Sequence, residues 1–255
     1  MNGYAGVSRY VPFVLRWLAL GVVLLVIEVL IGVGAINEYV VPRPSAIFGA
    51  LYRVVVEEHV MTYFLITLGE VLAAAAGLVL VGIPFGVFLA RKRDYWSAWG
   101  NWVAGLAAAP VVLLYPLFLV VFGRSPLTII MISFVTGVAP VILKTVEGIS
   151  GTRKVLLDVG RSFNLTEWQS FWKIVIPSAL PAMFLGLRLG LIYTMITVVA
   201  VEYLITLGGL GSLVGELAER YDLAATYAAV CFVVAVSVVF FLVVERLEHW
   251  LRLSA

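Results

Sequence analysis

"RKVLLDVGRSFNLTEWQSFWKIVIPSALPAM", Arg153 to Met183, is patterned like a soluble helical hairpin inside an otherwise apolar chain. The 255 residues are 63% hydrophobic and 13% charged, whereas a soluble domain is about half apolar and about a quarter charged. Most of this chain therefore dissolves in lipid, and the stretch interrupts it. It divides into two helices. Thr152 stands as N-cap of the first, on which Val155, Leu156, Val159 and Phe163 share one face while Arg153, Asp158, Arg161 and Ser162 point elsewhere. Asn164 suits a left-handed C-terminal position. Thr166 and Gln169 have capping-box spacing for the second helix, which carries Trp168, Phe171, Trp172 and Val175 on a bulky apolar face. Pro177 is predicted to end it, because the residue before a proline is pushed out of helical geometry. Periodicity admits two readings: a helix lying on the membrane surface, or one docked in the groove of a partner protein.

Outward from this stretch the sequence is a series of apolar runs. A helix needs about 20 apolar residues to cross a bilayer. Six segments qualify: Val14–Gly34, Thr62–Ala90, Ser97–Phe122, Leu127–Val146, Ala182–Leu204 and Ala224–Val244. The first is too long for a signal-peptide core and is read as an uncleaved span. With the N-terminus inside, twelve basic residues face the cytoplasm: Arg9, Arg16, Arg91, Lys92, Arg93, Lys144, Arg153, Lys154, Arg161, Lys173, Arg246 and Arg252. Four face outward: Arg43, Arg53, Arg124 and Arg220. The positive-inside rule then places both termini, and the hairpin between spans four and five, in the cytoplasm. The expected fold is all-α, a polytopic membrane protein forming one domain over residues 1–255.

Several function classes fall away. Cys231 is the single cysteine, so no intrachain disulfide forms, and His59 and His249 lie far apart with no other ligand types beside them. A net charge of +2 does not call for nucleic acid. No Gly-x-x-x-x-Gly-Lys-Ser/Thr run is present, so the chain is expected to bind no nucleotide or other cofactor itself. No Ser–His, paired-carboxylate or His–metal arrangement supports a membrane enzyme, and no internal repeat supports a secondary transporter.

The stretch resembles the cytoplasmic signature loop of binding-protein-dependent ABC importer permeases: Glu-Ala-Ala, three residues, Gly, nine residues, Ile-x-Leu-Pro. This chain has Asp158-Val159-Gly160, three residues, Asn164, nine residues, then Ile174-Val175-Ile176-Pro177. The spacing is kept and the residue types drift mildly. "VVPRPSAIFGAL" before span two, "APVVLLYPLFLVVFG" in span three, and "LPAMFLGLRLGL" and "VEYLITLGGLGSLV" around span five are similar to the sulfonate, taurine and nitrate branch. The resemblance covers about residues 40–250. It implies a type I importer fold in a prokaryotic inner membrane. A loop at about 150–177 would hold a coupling helix seated in an ATP-binding subunit, with Asp158, Val159, Gly160, Phe163 and Asn164 at the contact and Trp168 and Trp172 behind. It further implies two such ATPases carrying ATP and Mg, a second permease copy or related permease, and an extracytoplasmic binding protein. Relatives in this branch handle sulfonates, taurine, nitrate, or thiamine- and riboflavin-related compounds.

Charged residues and prolines inside the spans mark candidates for a solute pathway, because a charge at mid-bilayer costs at least about 2.5–3.5 kcal/mol. Glu70, Arg188 and Glu202 are the hardest to place at the edges. Arg188 is expected to pair with Glu70 or face the pathway, although many members of the resembled family carry Arg at the place of Glu70. Pro110 and Pro116 in one helix also suggest a pathway, whereas Pro84 reads as an ordinary kink. Ser45 is expected to cap an outer helix over Ser45–Glu58, with Ile47, Phe48, Leu51 and Val55 on its leaflet face. Gly208–Gly211 reads as a flexible outer turn.

Overall fold

The computed structural model describes residues 11–253, apart from the side chains of 11–13, 247 and 249–253. Arg9 and the side chains of His249 and Arg252 therefore lie outside the described part. The helices are α1 (Val11–Gly32), α2 (Pro44–Val56), α3 (Val60–Gly77), α4 (Ile83–Arg91), α5 (Arg93–Ala108), α6 (Tyr115–Phe122), α7 (Pro126–Ser150), α8 (Lys154–Ser162), α9 (Glu167–Ser170), α10 (Ile176–Ile205), α11 (Leu210–Glu219) and α12 (Leu223–Leu253). No strand occurs among the described residues.

Five helical runs are long and apolar enough to cross a membrane, and a bent pair makes a sixth. The pair corrects the third predicted span. Instead of one helix over Ser97–Phe122, α5 and the following Val111–Phe122 run meet at 90°. The break falls where Pro110 supplies no backbone donor and forces Ala109 into extended geometry (φ −75°, ψ 139°). Span two bends less: a π-helical turn over Leu78–Gly82 joins α3 to α4 just before Pro84, and the chain stays helical.

α7 and α10 form the centre of the bundle. They approach closely enough that a Cβ on Gly190 would lie 2.7 Å from the Gly137 carbonyl, and one on Gly137 would lie 2.7 Å from the Gly190 carbonyl. In lipid, where burial of apolar surface drives no association between helices, such small-residue contacts let backbones pack directly. Gly190→Val is therefore expected to force α7 and α10 apart and destabilise the bundle by about 1–3 kcal/mol or more. A thermal melt of the detergent-extracted variant checks this, and an unchanged Tm would show that the seam is not tight.

Three apolar clusters stack along this axis. Val54, Val60, Leu210, Leu213 and Leu217 pack at one end. Val71, Ile129, Ile132, Val198 and Val201 fill the middle, and Leu78, Leu89, Val138, Val141 and Val146 lie towards the other end. The first cluster seats α2, which packs on α11 and α12 through Ala50 and Val54. Of the predicted leaflet face, Phe48 and Val55 are exposed, whereas Ile47 and Leu51 pack partly against this cluster.

Ser45 is not the cap of α2. Arg43 holds that position, and Ser45 instead donates through its N–H (3.1 Å) and hydroxyl (2.7 Å) to Glu28 of α1. A carboxylate at a helix N-terminus satisfies free donors and complements the helix dipole. That accounts for an acid near the end of span one. At the same end of the bundle Arg53 pairs with Asp222 (3.4 Å), and Arg220 pairs with Glu58 (3.0 Å).

Candidate functional site

At the opposite end the chain leaves α7 and forms the hairpin. Thr152 is not the cap of α8; that position is Arg153. The Thr152 hydroxyl instead donates to the Ile149 carbonyl (2.9 Å) and lies 3.1 Å from the Ser178 hydroxyl, tying the end of α7 to the start of α10. α8 closes on Asn164 in left-handed geometry (φ 50°), with Leu165 N–H bonded to the Gly160 carbonyl and Asn164 N–H to that of Arg161. This is a Schellman closure with Asn in the usual glycine position. The capping box is present as well: Gln169 N–H donates to Thr166 Oγ1 (3.3 Å), and Thr166 N–H to Gln169 Oε1 (3.0 Å).

Pro177 does not end the second helix. α9 passes through a π-helical turn, Phe171–Val175, directly into α10. Ile176 N–H reaches back five residues to the Phe171 carbonyl, and the extra residue absorbs the donor missing at Pro177. The second leg of the hairpin is therefore helically continuous with span five.

The apolar face of α8 is largely uncovered among the described residues. Val155 is 71% exposed and Phe163 76%, with Leu156 and Val159 about half exposed. Trp168 and Trp172 are also exposed, in edge-on contact at 5.6 Å. Asp158 faces solvent, paired with Arg161 (2.9 Å). Gly160 alone among these residues faces inward: a Cβ there would lie 2.7 Å from Ile174 Cδ1, so glycine lets the two legs close on each other.

The other acidic candidates meet at the far end. Glu202 of α10 is 0% exposed. Its carboxylate accepts from the Thr67 hydroxyl (2.7 Å) and from Gly211 N–H (2.8 Å), and the Thr67 oxygen accepts from Leu210 N–H (2.8 Å). Glu70, 5% exposed, reaches the Glu202 carboxyl in hydrogen-bonding contact and leaves its Oε2 without a partner among the described residues. The cluster ties span two to span five and closes the N-terminus of α11.

The glycine turn is accordingly not a flexible loop. Gly208 and Gly209 take φ of 115° and 93°, a region open to glycine and strained for other residues. A Cβ on Gly209 would strike the Glu202 carboxyl, and one on Gly211 would strike the Val199 carbonyl. The turn wraps the carboxylate.

Arg188 does not pair with Glu70. Its guanidinium bonds Glu245 (3.1 Å) and Glu248 (3.5 Å) of α12 and stacks on Phe241 at 4.5 Å. Charged hydrogen bonds of this kind contribute about 1.5–3 kcal/mol. Arg188→Met should therefore lower the Tm, and its effect should add to that of Glu70→Gln within about 0.5 kcal/mol, as for distant sites. A double-mutant melt reads this, and strong coupling between the two would restore the predicted pair.

Pro110 lies in the break of span three, and Pro116 stands beyond it in the first turn of α6. The structure thus brings Glu70 and Glu202 together and leaves Arg188 and the prolines apart. None of the five lines the apolar cavity of about 430 Å³ between α3, α10 and α12, whose walls include Phe64, Met195 and Phe240. Arg124, read from sequence only as an outer charge, donates to the Ile205 (2.8 Å) and Thr206 (2.9 Å) carbonyls and closes the C-terminus of α10.

Comparison with known proteins agrees with this architecture. Residues 82–253 match the model of the binding-protein-dependent transport system inner membrane component family. A probable ABC transporter permease protein of Haemophilus influenzae is 25% identical over 91% of this chain and 94% of its own length. The carnitine transport permease OpuCD of Listeria monocytogenes is 28% identical over 62% of this chain and 69% of its own. The taurine transport permease TauC of Escherichia coli is 26% identical over 60% and 56% respectively. The nitrate import permease NrtB of a Synechocystis strain is 27% identical over 57% and 52%. A solved structure of the MetNI methionine ABC transporter, inward facing, superposes with a TM-score of 0.64 over 74% of this chain at 16% identity. The chain belongs to the binding-protein-dependent transport system inner membrane components: it is a multi-pass membrane permease subunit of an ABC importer with the type I fold.

Proposed function

We propose that the hairpin formed by α8 and α9 is the contact through which ATP-binding subunits drive this permease. One observation carries the reading: α8 projects an apolar face away from its own protein while the other leg is continuous with span five. Asp158, Val159, Phe163 and Asn164 meet the ATPase, Trp168 and Trp172 stand behind them, and Gly160 supports the contact by letting the legs close. The hairpin and both termini are cytoplasmic, as the distribution of Lys and Arg favours. The whole of 1–255 acts as one permease domain, with its family core at about 40–250 and the coupling loop at about 150–177. It works with a second permease copy, two ATPases that carry the ATP and Mg, and an extracytoplasmic binding protein; the chain itself binds no cofactor.

The solute we infer is a small sulfonate-, taurine- or nitrate-like anion, supported by the taurine and nitrate permeases among the relatives. A quaternary-ammonium zwitterion is the second reading, favoured by the carnitine permease. Thermal-shift screening of the co-purified binding protein against taurine, nitrate and carnitine separates the two.

Labelling tests the coupling reading. Val155→Cys, in a Cys231→Ala background, is expected to react with a membrane-impermeant maleimide only in inside-out vesicles, and to be shielded when the ATPase is bound. Labelling from the outside, or no shielding, would contradict it.

A further inference from the structure

We propose that Arg91 is a positioning residue that clamps the hairpin to the end of span two, so that movement of the hairpin reaches spans two and five together. The proposal rests on the hairpin being the ATPase contact.

α8 is a poor lever by itself. Its inward contact is Gly160 on Ile174, within the hairpin. Movement of α8 thus passes through the π-helical turn along α10 and, through the short link 151–153, into α7; neither route runs through the end of α4. Span two ends beside this turn. Arg91 is the last residue of α4, and its guanidinium carbon lies 4.6 Å from the Phe171 ring centre and 5.8 Å from that of Trp168. The two rings stack on each other with their planes 29° apart. Phe171 is buried at the base of the hairpin while Trp168 is exposed. The cation therefore bridges the fixed and the open parts of the second leg. No carboxylate pairs with Arg91 among the described residues, so the aromatic faces are the contacts that orient it.

The position of Arg91 makes the contact consequential. Lys92 breaks the helix (φ −118°, ψ 89°), and α5 begins at Arg93. Arg91 thus stands at the tight corner between spans two and three, where a pull on its side chain acts on the helix end. A guanidinium over aromatic faces is a weak contact where water reaches it and a stronger one where it is desolvated. That is too little to hold the fold and enough to bias which of two arrangements span two adopts with the hairpin.

The test uses the permease co-purified with its ATP-binding subunits in nanodiscs. Amide hydrogen exchange is compared before and after trapping with ATP and vanadate. In the wild type, trapping is expected to change exchange both in the hairpin and start of α10 (154–190) and in α4 (83–91). Arg91→Met should keep the response in the hairpin and lose it in α4, with ATPase binding retained and Tm lowered by no more than a few °C; Arg91→Lys should restore the α4 response. If Arg91→Met does not assemble, Arg91→Gln, polar and neutral, takes its place with the same readings. An α4 response that persists in the neutral variant overturns the clamp. A wild type without any hairpin response on trapping overturns the coupling reading, and the clamp with it.

Discussion

Glu202→Leu is expected to leave little extractable folded protein, the largest stability loss of any single substitution considered for this chain. The leucine removes the acceptor for the Thr67 hydroxyl and for Gly211 N–H, both buried. Each orphaned donor costs about 1–3 kcal/mol, against a total stability of about 5–15 kcal/mol. The N-terminus of α11 also loses the carboxylate that closes it, and α11 carries Leu210, Leu213 and Leu217 of the cluster that seats α2. Glu202→Gln keeps the shape and the acceptor for Gly211 N–H, but its amide nitrogen replaces the oxygen that accepts from Thr67, whose hydroxyl can turn to the Tyr63 carbonyl; it should lose about 1–3 kcal/mol, less than the leucine variant. Gly209→Ala should resemble the leucine variant, since it needs φ near 93° and drives a Cβ into the same carboxyl. Yields of monodisperse protein and melting curves distinguish these. A Glu202→Leu variant with the wild-type Tm would show that the cluster holds nothing together.

The second large effect is on association. Phe163→Asp combined with Val159→Asp is expected to weaken binding of the ATP-binding subunit by about 25-fold or more, the consequence of losing about 2 kcal/mol or more at an aromatic anchor. The Tm of the permease alone should not fall, because both side chains project into solvent. Gly160→Glu makes a useful contrast. Its side chain must displace Ile174, so it should lower stability and association together. Binding measured by surface plasmon resonance on immobilised permease, beside a melt of each variant, separates an outward contact from an inward one.

What could be read from the sequence was mostly local. The Thr166–Gln169 box and the left-handed Asn164 depend on residues three or four apart, and both are present. Composition located the long helices, because a bilayer imposes length and apolarity on each segment alone. The misreadings share a cause: a partner or backbone adjustment outside the local window. Pro177 has the form of a helix stop, and only the π-helical turn preceding it lets the helix continue. Thr152 and Ser45 have the form of N-caps, yet one bonds to Ser178 and the other to Glu28. Arg188 has an acid to pair with in any of several spans, and the choice of Glu245 and Glu248 follows from α12 packing beside α10. The glycine turn reads as flexible until the carboxylate it encloses is in view. Gly160 matches the signature loop in position, but the sequence does not say which side of the hairpin it faces.

Coupling to an ATP-binding subunit depends most on the exposed face of α8 being a docking surface. The direct measurement is mild-detergent extraction of the tagged chain from native membranes, with mass spectrometry of what accompanies it, for the wild type and for Val159→Asp/Phe163→Asp. An ATP-binding subunit that accompanies the wild type and is lost from a double variant of unchanged Tm is the predicted result. An ATP-binding subunit retained by the double variant, or none with the wild type under conditions that keep a known importer intact, would contradict it.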